Sequence, residues 1–152
     1  MIVEEKGMDD VPTPAVAVNF NNGQVNTRRG IYEQYHHECL GWLRSIEFFR
    51  QENSYLKNRL SEVVDSSSDK VFLAQAEHFQ NQFIIKDEFL DELRHDVNEH
   101  EKCLDGKILK KDICIDEQTI ITQKKLRDQI DYLEKDFTDL RDKFNQYLRI
   151  NL

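Results

Sequence analysis

Residues 32–63 read YEQYHHECLGWLRSIEFFRQENSYLKNRLSEV, and their apolar positions advance in alternating steps of three and four: Tyr32, Tyr35, Cys39, Trp42, Ile46, Phe49, Asn53, Leu56, Leu60, Val63. A repeat of about 3.5 residues nearly matches the α-helical turn of about 3.6, so these side chains stay on one stripe of a helix. The pattern returns at Phe72, Ala76, Phe79, Phe83, Lys86, Leu90, Leu93, Val97, His100 and Leu104. It returns again at Leu126, Ile130, Leu133, Phe137, Leu140, Phe144 and Tyr147. Three amphipathic helices bury such stripes by packing against one another, which predicts an all-α fold: an elongated, coiled-coil-like antiparallel three-helix bundle.

The breaks between the ladders place the helices at about 28–65, 69–105 and 116–150, forming one bundle over 28–152. Asp65-Ser66-Ser67-Ser68-Asp69 is rich in residues that favour caps and turns, so it reads as a tight connection between antiparallel neighbours. Gly106 is placed to take the left-handed conformation just past the second helix. Lys107 to Ile115 reads as an irregular connector, with Ile108, Ile113 and Ile115 over the bundle end and Asp112 or Asp116 capping the third helix. Residues 1–27 hold both prolines, Pro12 and Pro14, and show no helical period, which predicts a flexible arm. Within it, Asn22-Gly23 is a turn signal and Thr27 a cap for the first helix.

Charge and cysteine content narrow the function. Lys and Arg total 21 against 29 for Asp and Glu, a formal net charge of -8, so the surface repels polyanions and nucleic acid is not the expected partner. The basic run Lys107, Lys110, Lys111 is expected to complement a helix carboxyl end. No apolar run reaches the roughly 20 residues of a membrane span, and the amino terminus lacks a secretory leader pattern. The three cysteines, Cys39, Cys103 and Cys114, share no Cys-x-x-Cys spacing, which points away from a disulfide framework and toward a cytoplasmic setting. Phosphate-binding loops, His-Glu-x-x-His and nucleophile elbows are missing from the sequence.

Two groups of residues stand out against this scaffold. Ile84, Ile85 and Phe89 on the second helix, like Leu40 and Leu43 on the first, are apolar but off the stripe, so they form a candidate surface for a protein partner or for self-association. At one end of the bundle the stripes turn polar: Tyr35, His100, Thr119 and Gln123 are expected to share a buried layer that fixes helix register. Antiparallel pairing, with a residue near 36 beside one near 97, would gather four of the five histidines there. An alternative site follows from Glu33, His36, His95, Glu99 and His100, since Glu-x-x-His on facing helices is a transition-metal ligand pattern. The phase of the second ladder turns His95 outward, and the third helix carries no histidine. The leading expectation is therefore a non-enzymatic bundle that works through protein contacts, without a cofactor, as adaptor, regulator or assembly component.

Overall fold

A computed structural model describes residues 22–109 and 116–152, with side chains for 29–108 and 116–152. Three helices make up the fold: α1 from Asn22 to Asp65, α2 from Lys70 to Leu109 and α3 from Glu117 to Asn151. They run up, down and up. At about 1.5 Å per residue the longest is a rod on the order of 65 Å, and no helix among the described residues is long and apolar enough to cross a membrane.

The stripes form the core. Tyr32, Cys39, Ile46, Phe83, Leu90, Val97, Leu104, Leu133, Phe137 and Phe144 are fully buried, while Tyr35, Phe79 and Leu140 are partly covered at its margin. The first connection is as tight as its composition predicts. Ser66 Oγ donates to the Val63 carbonyl, and the Asp69 carboxylate accepts from the amides of Val71 (2.9 Å) and Phe72 (3.4 Å), capping α2. Asp116 caps α3 in the same way, accepting from Thr119 N–H at 2.7 Å.

The helix ends depart from the sequence reading in three places. Asn22 and Gly23, expected in a turn, and Thr27, expected as a cap, all lie inside α1, so residues 22–27 of the expected arm are helical. Residues 1–21 lie outside the described residues. Gly106, expected just beyond α2, lies within it, and α2 continues to Leu109. The extra turn lets Ile108 pack on the core and brings the Lys107 ammonium to the Asp116 carboxylate, so the helix gains contacts by continuing past the glycine. Ile113, Cys114, Ile115, Lys110, Lys111 and Asp112 lie outside the described residues.

Register along the bundle comes from polar side chains set among apolar ones. Asn53, fully buried in α1, donates through Nδ2 to the Phe83 carbonyl at 2.9 Å and to Asp87 Oδ1 at 2.7 Å, both on α2. Arg50 with Asp91 and Lys57 with Asp87 repeat that alignment on the flank. Lys86 is buried on the α2 stripe and reaches Asp136 of α3; burial lowers its ammonium below the ordinary lysine value. This alignment sets His36 beside Glu101 and Asp105, one to two turns further along α2 than residue 97.

The end beside the first connection is packed with aromatic rings. Phe72 stacks on Tyr147 at 5.0 Å, and Tyr147 Oη donates to the Phe72 carbonyl at 2.7 Å. Phe144 meets Phe79 at 5.4 Å and Phe83 at 5.2 Å edge to face, and Phe49 meets Phe137 at 5.1 Å. Each such pair adds roughly 0.5 to 1.5 kcal/mol beyond the area it buries.

Candidate functional site

The opposite end holds a hydrogen-bonded layer drawn from all three helices. His100 Nε2 lies 2.7 Å from Gln123 Oε1. The amide oxygen only accepts, so Nε2 carries the proton and donates. Gln123 Nε2 in turn donates to Glu38 Oε1 at 2.8 Å and to the Tyr35 carbonyl at 3.3 Å. Arg127 closes the chain with a two-pronged contact to Glu38, at 2.9 and 2.7 Å. Gln123 is fully buried and His100 nearly so; a buried amide or imidazole without partners costs about 1 to 3 kcal/mol, and here the partners are present.

The electrostatics follow from that geometry. Burial pushes the Glu38 carboxyl up, but the hydrogen bonds from Arg127 and Gln123 and the guanidinium charge outweigh it and hold it below the ordinary carboxylate range. Burial raises the Tyr35 phenol, although Arg127 opposes it. The Cys39 thiol is pushed up to about 12, first by burial and then by the carboxylates of Glu101, Glu38 and Asp105, so it stays protonated and packs as a small apolar group. At the α3 cap, burial raises Asp116 but hydrogen bonds from Lys107 and Thr119 bring it down to about 2.

The expected polar layer thus includes His100 and Gln123 as bonded partners. Tyr35 joins through its backbone carbonyl only, and Thr119 is buried nearby with its amide on the Asp116 cap. Glu38 and Arg127, which complete the layer, lie off the apolar stripes. Their signal in the sequence is spacing: Arg127 stands four residues after Gln123 and Glu38 three after Tyr35, which puts each beside its stripe neighbour.

The five residues of the metal reading are not brought together. Glu33, His95 and Glu99 are exposed, and Glu99 pairs with Lys102 at 3.2 Å on its own helix. His36 Nδ1 lies 3.3 Å from Asp105 Oδ1 and 3.8 Å from Glu101 Oε2, while His100 is engaged by Gln123. Among the described residues, no three His, Cys, Asp or Glu side chains converge to hold a metal ion.

The off-stripe apolar residues sort into two sides of α2. Phe89 packs edge-on against Tyr132 of α3, with ring centres 6.1 Å apart. Ile85, one turn before Phe89, shares its side of the helix and is 52% exposed. Ile84, 46% exposed, is rotated away from both. On α3, Ile121 and Tyr132 are 52% and 60% exposed, and with Phe89, Lys124, Lys125, Asp128 and Gln129 they line a shallow groove between α2 and α3. Gln129 Oε1 is buried in its lining without a hydrogen-bond partner among the described residues.

Fold and surface together define a three-helix bundle with a closed polar layer at one end and an apolar groove along one flank. Compared with models of protein families, with curated proteins and with solved structures, the chain matches none of them.

Proposed function

We propose that this chain works without catalysis, through protein contacts, as an adaptor, regulator or assembly component, and that the flank between α2 and α3 is its contact surface. The observation that carries the reading is the clustering of Ile85, Phe89, Ile121 and Tyr132 on that one flank of a chain with a formal net charge of -8. Exposed aromatic and aliphatic side chains framed by charge are the composition of a binding surface, and Tyr is among the residues that dominate such contacts. In the polar layer, by contrast, the imidazole is taken up by the Gln123 amide and the Glu38 carboxylate by Gln123 and Arg127. A cytoplasmic setting and the exclusion of nucleic acid belong to the same proposal, on the grounds of cysteine spacing and charge given above.

The test is capture from the native cell lysate with the whole chain as bait, comparing Tyr132→Glu with Glu134→Lys. A specific protein retained by the wild type and by Glu134→Lys, and lost with Tyr132→Glu, supports the reading. Capture that ignores Tyr132→Glu removes this flank as the contact surface.

A further inference from the structure

We infer that the flank between α2 and α3 pairs with the same flank of a second copy, about a twofold axis parallel to the bundle; the inference rests on the proposed contact surface and names its occupant. It begins from how charge is divided across the groove. On the α2 side, Glu92 and Asp96 follow Phe89 by three and seven residues, so they share its face. Both are exposed and hold no ion pair among the described residues. On the α3 side the charges at the groove are Lys124 and Lys125, with Asp128 engaged by Lys124 at 3.0 Å. One shoulder is therefore acidic, and the other keeps a net positive charge through Lys125.

Asp96 stands level with the two lysines, and Glu92 about one and a half turns along α2 from that height. His100 meets Gln123 and Phe89 meets Tyr132, and these two contacts bound one slab of the antiparallel α2 and α3 pair. Glu92 and Asp96 lie between Phe89 and His100, and Lys124 and Lys125 lie between Gln123 and Tyr132. A twofold rotation about an axis parallel to the helices keeps height unchanged and exchanges the shoulders. It lays α2 of one copy over α3 of the other, with Asp96 facing Lys124 and Lys125 twice over and Glu92 adding its charge to the same acidic shoulder. The apolar centre, Ile85, Phe89 and Tyr132, then meets its own copy near the axis. An isologous interface requires this self-complementarity, in which each residue and its partner exchange roles. The net charge of -8 on each copy opposes random association, so opposite signs matched on the two shoulders of a single groove select one mode of pairing.

Sedimentation equilibrium over a wide concentration range tests this with the full chain and two charge-reversed variants. Variant one carries Lys124→Glu and Lys125→Glu; variant two carries Glu92→Lys and Asp96→Lys. All four positions are exposed, and a thermal melt verifies that each variant is folded. The wild type is expected to dimerise, each variant alone to dimerise more weakly by about tenfold or more, and an equimolar mixture to regain wild-type association. Tyr132→Glu gives a second route to the monomer without altering those charges. A wild type that stays monomeric throughout overturns the second copy as occupant, while lysate capture sensitive to Tyr132→Glu leaves the contact surface standing. A dimer indifferent to both charge reversals overturns the pairing as well.

Discussion

The two ends of this bundle solve the same packing problem with opposite chemistry. Beside the first connection, Phe72, Phe79, Phe83, Phe144 and Tyr147 fill the space between α2 and α3 with rings, and nearly every contact is apolar. At the far end His100, Gln123, Glu38 and Arg127 fill it with a chain of hydrogen bonds. Apolar packing is the larger source of stability but tolerates sliding, because a stripe repeats with every heptad. Directional bonds add less net energy and fix which heptad meets which. The comparison teaches that stability and register are assigned to different regions here.

Breaking the aromatic end should have the largest effect. Phe144→Ala removes a fully buried ring that touches Phe79 and Phe83, and is expected to cost about 3 to 5 kcal/mol in urea unfolding. A cost under about 1 kcal/mol would mean that the cluster is not packed as described. At the polar end, His100→Leu leaves Gln123 Oε1 buried without its donor, with an expected cost of about 1 to 3 kcal/mol. Adding Gln123→Leu should recover part of that loss, since the orphaned acceptor is then gone. Simple additivity of the two changes would show that the residues are not coupled.

Acid separates the ends further. Glu38 and Asp116 are held below their unfolded values, Asp116 at about 2, so the stability they contribute is full above the unfolded carboxylate range. It is lost as pH falls from about 5 toward 2, when both groups take up protons. Hydrogen exchange in that window should show α1 near Glu38 and the start of α3 opening before the segments around Phe72 and Phe144. A uniform loss of protection would count against the division. Glu38→Gln should flatten the pH dependence. The smallest effects come from glycine: a methyl group at Gly106 meets nothing within 4 Å and at Gly41 only the end of Arg44 at 3.7 Å. Gly41→Ala and Gly106→Ala should each stabilise the helix by up to about 1 kcal/mol. Destabilisation by Gly106→Ala would return that residue to the left-handed position expected from sequence.

Much of this was legible in the ladders, because burial of one stripe per helix is enough to define an up-down-up bundle. The helix ends were less legible. Gly106 reads as a stop locally, yet the contacts of Lys107 and Ile108 carry α2 through it, which is tertiary packing overriding propensity. His100 and Gln123 announced a polar layer by standing on the stripes. Glu38 and Arg127 did not, since a charged residue beside a stripe looks like any solvated one until a neighbouring helix is set against it. Ile85 and Phe89 were visible as apolar residues out of phase, whereas Ile121 and Tyr132 completed the groove only once α3 was placed.

The most direct test of the whole account is to measure unfolding stability and association on the same Tyr132→Glu protein. Tyr132 is 60% exposed and belongs to neither end, so its replacement should cost unfolding stability only about the 0.5 to 1.5 kcal/mol of its edge-on contact with Phe89, while abolishing association through the α2 and α3 flank. A large loss of stability, or association at the wild-type level, would contradict it.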